Sequence, residues 1–256
     1  MSADPRSVPD AEVLDSLTYN EAAELAHNGA KVLHARTLAP LIDRQIPVWS
    51  KNSFNLQHPG TRIVGSVEVP PGPRAVTSMS NVALISLELA STALNGTRLM
   101  ARALEGLAQA NAEVLALTSS SYQQSFCFLV RKDELAAAMK SLETDLALEL
   151  EHGYLKPISV NENVGLLAVV GEGMRGRPGL AGRLFQAISQ QDVNIIAIAQ
   201  GSSELTISVV VRRDGLERAI RAVHKECRRL QLPANQLYDS PLARPGRDGR
   251  VRAAAV

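Results

Sequence analysis

The sequence predicts an α+β fold made of two ferredoxin-like βαββαβ units in tandem, preceded by a shorter mixed helix-and-strand segment. Three observations predict it. The stretch "SFCFLVRKDEL" (Ser125–Leu135) recurs 81 positions later as "TISVVVRRDGL" (Thr206–Leu216). The same shift places Leu104 on Phe185, Arg102 on Arg183, Met139 on Ile220 and Leu142 on Val223. Self-similarity over several separate elements marks two copies of one supersecondary unit. Within each copy, strand-like apolar runs and helical runs follow in the order strand, helix, strand, strand, helix. Finally, the proline-rich "VEVPPGPRAV", near residues 66–75, reads as a boundary between the repeat and what precedes it.

Taken in order, residues 18–45 carry apolar positions at helical spacing, with Thr18 and Glu21 placed as a capping box at their start. "IPVWS" is a short strand and "KNSFNLQHPGTRI" a loop that ends in a Pro-Gly turn. The first copy then offers the strand "VALISLEL", the helix "TRLMARALEGLAQA", the strands "AEVLALTS" and "SFCFLV", and the helix "DELAAAMKSLETDLA". "LKPISV" is positioned to close it. The second copy offers "VGLLAVVGE", "PGLAGRLFQAISQQ", "VNIIAIAQ", "LTISVVV" and "GLERAIRAVHKECRRL". No strand follows its last helix, so its closing strand is expected from elsewhere, with the segment before the first copy the candidate. Residues 233–256, rich in Pro, Gly and Arg and without periodicity, are expected to be a disordered tail.

Composition narrows the function classes. A formal net charge of +1 leaves no electrostatic footprint for nucleic acid or an anionic membrane, and 4% aromatic content argues against a base-stacking surface. No apolar run is long enough to span a bilayer, and the N-terminus lacks the basic-then-apolar order of a signal peptide. Two cysteines without metal or redox spacing fit a reduced, cytoplasmic protein. The five histidines are scattered, and no nucleophile elbow or metal-ligand set is present.

The most informative stretch is "LLAVVGEGMRGRPGLAGRLF" (Leu166–Phe185), an apolar strand that runs through glycines 171, 173, 176 and 179 into a helix opening at about Pro178. Backbone N–H groups at such a corner, together with the positive end of the helix dipole, suit a carboxylate or phosphate. The plain alternative is that the glycines serve only the turn. It is neither a Walker loop, since no Gly-Lys-Ser/Thr follows, nor a dinucleotide fingerprint, since the surrounding unit is a split βαβ. "IAQGSSEL" (Ile198–Leu205) adds Gln200, Ser202, Ser203 and Glu204 at a strand end, with Asn194 just upstream; a solvated hairpin explains them equally well. Lys31 and His34 share a helical stretch near Gly29, where chemistry and packing are both open readings.

"VGEGMRGRPGLAGRLFQAISQQDVNIIAIAQGSSELTISVVV" (Val170–Val211) resembles the second ACT domain of aspartate kinases. "LELEHGYLKPISV" and "SVNENVGLLAVVGEGM" resemble the approach to it in the enzymes fused to homoserine dehydrogenase. "ADPRSVPDA" (Ala3–Ala11), "YNEAAELAHNGAKVLHARTL" (Tyr19–Leu38) and "IPVWSKNSFNLQHPGTRI" (Ile46–Ile63) look like the last part of the kinase domain. The resemblance covers nearly everything but the tail. It implies a remnant of an α/β amino-acid kinase domain over 1–65, a diverged ACT domain over 76–160 and a second over 161–232.

The resemblance also implies a role. Such a chain would bind an aspartate-family amino acid, threonine rather than lysine, as a feedback effector. Carried over position by position, the effector contacts are Gly173, Met174, Pro178, Gly179, Asn194 and Gln200. Asp4, Arg6 and Lys31 match parts of the family's nucleotide site, but the family's phosphate-binding Lys-Phe-Gly-Gly-Thr-Ser-like stretch and its aspartate pocket have no counterpart here. No complete catalytic set, and no ATP or magnesium binding by this chain alone, is therefore expected. Partners implied are a second copy, through the exposed edges of the ACT sheets, or a catalytic aspartate kinase chain. The other readings are an active kinase making 4-phospho-L-aspartate from ATP and L-aspartate, and a pairing module with no ligand. In the first copy, the loop "ELASTALNGTRLMAR" (Glu88–Arg102) keeps a single glycine. Leu115 stands where lysine-sensitive members carry an acid, and Ser119 where fused enzymes carry glutamine.

Overall fold

The computed structural model describes residues 1–30, 35–55, 57–68, 71–90, 95–120 and 125–231. Lys31, His34 and the tail from Pro233 lie outside the described residues.

The N-terminal segment holds β1 (Ser16–Thr18), α1 (Tyr19–His27), α2 (Ala35–Asp43), β2 (Val48–Ser50) and β3 (Thr61–Val64). They form a three-stranded sheet in the order β1-β3-β2, parallel between β1 and β3. The capping box is present: Glu21 N–H donates to Thr18 Oγ1 and Thr18 N–H to Glu21 Oε2. The single helix expected over 18–45 is two helices. Asn28 caps α1, and Gly29 takes φ +101°, which only glycine adopts without strain. Two short strands, β1 and β3, carry too few alternating residues for sequence periodicity to reveal them.

The remainder is β4 (Ala75–Glu88), α3 (Gly96–Gln109), β5 (Ala116–Ser119), β6 (Ser125–Arg131), α4 (Leu135–Asp145), α5 (Ala147–Glu151), β7 (Ser159–Val170), α6 (Leu180–Ser189), β8 (Ile195–Gln200), β9 (Thr206–Arg212) and α7 (Leu216–Gln231). All six strands join one sheet in the order β5-β6-β4-β7-β9-β8. The two longest strands, β4 and β7, are each shared between the units. The second half of β4 (Val82–Glu88) pairs with β6 and opens the first unit, while its first half (Ala75–Met79) pairs with Leu166–Val170. The second half of β7 (Val164–Val170) pairs with β9 and opens the second unit, while its start lies against Val82–Ser86. Each unit thus has the ferredoxin-like order closing-first-third-second, with its closing strand supplied by the other unit's opening strand. "AVTSM", which the adjacent prolines disguise as linker, is the closing strand sought for the second copy.

Helices α3, α4, α6 and α7 cover one face. α3 and α4 bury Leu99, Leu107, Phe128 and Leu142, and α6 and α7 bury Leu167, Val169, Leu184 and Val223. The other face of the sheet buries Val82, Leu84, Leu129, Val164 and Leu166 in a separate layer. α1 lies on this second face: Ala75 and Val170 join its cluster, while their neighbours Val76 and Val169 point to α7. The alternation is that of a sheet buried on both sides. The sheet curls enough that its two edge strands, β5 and β8, approach each other.

Residues 2–12 do not extend from the three-stranded sheet but pack on α7. Ala3 and Val8 join the α6/α7 core, Ser2 Oγ lies 2.9 Å from His224 Nε2, and Arg221 donates to the Ser7 carbonyl at 2.9 Å.

Candidate functional site

The strand-to-helix corner lies between the end of β7 and α6. Gly171 is required by crowding: a Cβ there would sit 2.7 Å from the Arg74 nitrogen. Gly176 and Gly179 take φ of +63° and +80°, the left-handed region. Helix α6 opens at Leu180, not at Pro178, because Gly179 in this conformation is its N-cap and supplies no side-chain hydrogen bond. Pro178 lies in the preceding turn, two residues before the first helical position where the proline was expected.

Two donors at the corner are already engaged by carboxylates of the same chain. Glu172 N–H donates to Glu21 Oε1 at 3.0 Å, and Gly176 N–H donates to Glu204 Oε2 at 2.7 Å. Others are used within the turn, Met174 N–H to the Gly171 carbonyl and Arg177 N–H to that of Met174. The donors expected to be free are therefore fewer than the glycine pattern suggests. In both contacts the backbone N–H here donates to a carboxylate oxygen at ordinary hydrogen-bond length.

Beside the corner is a cavity of about 170 Å³ lined by Met174, Arg177, Gly179, Gln200, Glu204 and Ile207, with the first turn of α6 completing the wall. It brings together three of the six predicted residues: Met174, Gly179 and Gln200. Gly173, whose carbonyl accepts from Gly72 N–H at 2.9 Å, and Pro178 belong to the same loop without lining the cavity. Asn194 precedes β8, is exposed, and does not line it either. Sequence reasoning noticed Glu21 only as a cap and Glu204 only as a hairpin residue. No local pattern signals that both reach the corner from 151 and 28 residues away.

Of the nucleotide-site candidates, Asp4 and Arg6 lie in the N-terminal segment that packs on α7, and Lys31 lies outside the described residues. Asp4 and Arg6 form an exposed ion pair at 2.6 Å, which holds the Arg6 guanidinium above its ordinary pKa. Leu115 is buried in the sheet's second face, and Ser119 ends β5. Among the described residues, no group of three His, Cys, Asp or Glu could hold a metal, and no helix is long and apolar enough to cross a membrane.

The topology and the corner together define an ACT-type regulatory region joined to part of an amino acid kinase. Family models match on the same division: the ACT domain over residues 167–227 and the amino acid kinase family over residues 1–52. The bifunctional aspartokinase/homoserine dehydrogenase of Haemophilus influenzae is 39% identical over 228 residues, covering 88% of this chain and 28% of that protein. The chloroplastic counterpart of Daucus carota is 38% identical, covering 87% and 25%. Among solved structures, the aspartate kinase of Clostridium acetobutylicum superposes with a TM-score of 0.78 at 26% identity, covering 89% of this chain and 52% of that one. Aspartokinase III of E. coli, solved with aspartate and ADP, gives 0.77 at 26% identity, covering 88% and 49%. By sequence and by fold the chain is homologous to part of the aspartate kinases. It spans about a quarter of the length of the curated relatives it matches.

Proposed function

We propose that this chain is the regulatory part of an aspartate kinase and binds an aspartate-family amino acid, threonine in preference to lysine, at the 171–179 corner. The observation that carries this is the cavity beside the corner, where Met174, Gly179 and Gln200 converge next to backbone that already holds the Glu204 carboxylate. Its 170 Å³ is the space of roughly six waters at about 30 Å³ each, the scale of a small amino acid. The amino acid's α-carboxylate takes backbone N–H donors at the loop and the start of α6, and Gln200 and strand carbonyls take polar groups of the rest. Lysine is the weaker fit because Leu115 of the first unit, just before β5, is an apolar buried residue where the resemblance places an acid in lysine-sensitive members. A crystal structure of E. coli aspartokinase III, 27% identical, contains lysine and aspartate, so lysine stays in the test.

Binding would bias a two-state assembly, as allostery requires. The partner is a second copy, through the unpaired edges β5 or β8, or a catalytic aspartate kinase chain. A catalytic chain would supply the ATP and magnesium site that Asp4, Arg6 and Lys31 only complete, in a cytoplasmic enzyme of lysine, threonine and methionine synthesis.

The test is thermal unfolding with L-threonine, L-lysine and Mg-ATP added separately. At about 100 times its dissociation constant, a ligand adds roughly 2.7 kcal/mol. A rise with threonine alone is expected. A rise with Mg-ATP alone would move the function to the kinase remnant, and no rise would leave a pairing module.

A further inference from the structure

Residues 2–12 form a loop closed at its neck. Ser2 N–H donates to the Glu12 carbonyl at 2.7 Å, and Glu12 N–H donates back to Ser2 Oγ at 2.9 Å. Inside the loop, Ser7 and Val8 N–H both donate to the Asp4 carbonyl. α7 holds the neck on both sides, one helical turn apart: Arg228 pairs with the Glu12 carboxylate, and His224 Nε2 lies 2.9 Å from Ser2 Oγ. The two holds differ. The Arg228 and Glu12 side chains are 48% and 64% exposed, and an ion pair so wet contributes little. His224 and Ser2 are buried, and Ala3 and Val8 of the same loop sit in the α6/α7 core. A hydroxyl has one hydrogen to give. Ser2 Oγ already accepts from Glu12 N–H, and among the described residues the acceptor its hydrogen reaches is His224 Nε2. The bond therefore needs the neutral ring with its proton on Nδ1. A proton on Nε2 turns that acceptor into a second donor at the same oxygen and strands the hydroxyl hydrogen.

We propose that His224 is a proton-gated latch: neutral, it takes the Ser2 hydroxyl and keeps loop 2–12 on α7; protonated, it loses that bond and the loop leaves the helix. Burial, then Arg228, lowers the His224 pKa, against weaker pulls from Glu12 and Asp10. The other charges near the loop are the Met1 amine and the Asp4–Arg6 pair. On α7, Arg221 is held by the Ser7 carbonyl, Lys225 is exposed, and burial pushes the Cys227 thiol up. α6 brings Arg183, already paired with Glu226, and the strand stretches 75–79 and 164–170 carry no titratable side chain. Because the closed loop lowers the ring's pKa, the latch is whole above the free-imidazole value of about 6.5 and opens as pH falls below it. The loop carries Asp4 and Arg6, so the latch decides whether those two residues stay on the second unit or move away from it. It does not rest on the amino-acid reading: neither Ser2 nor His224 lines the corner cavity.

The test follows the ¹⁵N-labelled full chain by NMR from about pH 8 to about pH 5. Ring-nitrogen shifts of His224 read its titration and tautomer, and ¹⁵N relaxation at Ser7, Val8 and Ala11 reads the loop. At the upper end the Nδ1–H tautomer is expected, with loop order parameters of about 0.85. Toward the lower end they should fall below about 0.6, with the midpoint of the ring titration, while β7 and β9 stay rigid. His224→Gln, which keeps a neutral acceptor for the hydroxyl, should abolish this pH dependence. Ser2→Ala should loosen the loop already at the upper end, and gives a second reading if His224→Gln disturbs the fold. An Nε2–H tautomer, a loop equally rigid at both ends, the same loosening in His224→Gln, or loosening of loop and strands together would overturn the latch.

Discussion

Glu21 offers the sharpest test of how the N-terminal segment is joined to the glycine-rich corner. Its side chain is fully buried, with Oε2 accepting from Thr18 N–H at 2.9 Å and Oε1 from Glu172 N–H at 3.0 Å. Replacing Glu21 with Ala removes both acceptors at once. A buried donor left without a partner costs about 1–3 kcal/mol, toward the lower end where water can enter, as it can beside half-buried Glu172. The sum is about 2–4 kcal/mol. For a chain of this size each kcal/mol moves Tm by roughly 2–4 °C, so a fall of roughly 4–16 °C is expected. Thr18→Ala removes the hydroxyl that accepts from Glu21 N–H at 3.1 Å and donates over a long 3.4 Å to Glu172 Oε1, and should cost about 1 kcal/mol, the usual worth of a cap. Urea unfolding followed by circular dichroism at 222 nm measures both variants. If Glu21→Ala costs no more than Thr18→Ala, the buried carboxylate does not tie α1 to the corner and the reasoning fails.

Other substitutions test other parts of the account. Gly29→Ala places a methyl 2.4 Å from Met79 Cγ at a φ of +101°, and should cost about 1–3 kcal/mol by the same unfolding assay. Phe128→Ala empties a fully buried site in the α3/α4 core, with an expected loss of about 3–5 kcal/mol. Burial, and secondarily Arg228, holds the His224 imidazole below its ordinary pKa, so the folded state favours the neutral ring. Its contribution is whole above the unfolded value near 6.5 and is lost as pH falls toward the lower folded value. The wild-type Tm should therefore fall between pH 7 and pH 5, and fall less in His224→Gln; equal slopes would remove His224 from the account.

What the sequence could show was what is local or repeated. The 81-residue shift places Ser125–Arg131 on Thr206–Arg212, and both are strands with the bounds the shift requires. The capping box at Thr18 depends on two residues three apart and was equally legible. The exchange of closing strands was not, because "AVTSM" is short, sits beside prolines and is defined only by its partner Leu166–Val170 across the fold. The break at Gly29 was hidden inside a continuous apolar rhythm, since periodicity carries no mark of backbone φ. At the corner, the glycines announced a close-approach turn, but not that Glu21 and Glu204 fill two of its donors. Those are contacts between elements far apart in sequence, and only the packed fold brings them together.

The central claim is that the 171–179 corner takes an amino acid, and isothermal titration of the intact chain with L-threonine tests it most directly. The account predicts saturable binding that is weakened at least tenfold in Gly179→Ala, which changes a left-handed position facing the cavity where no neighbouring atom lies within 4 Å of the added methyl. Saturable binding of equal strength in the wild type and in Gly179→Ala would place threonine elsewhere, and no binding in either would contradict the claim.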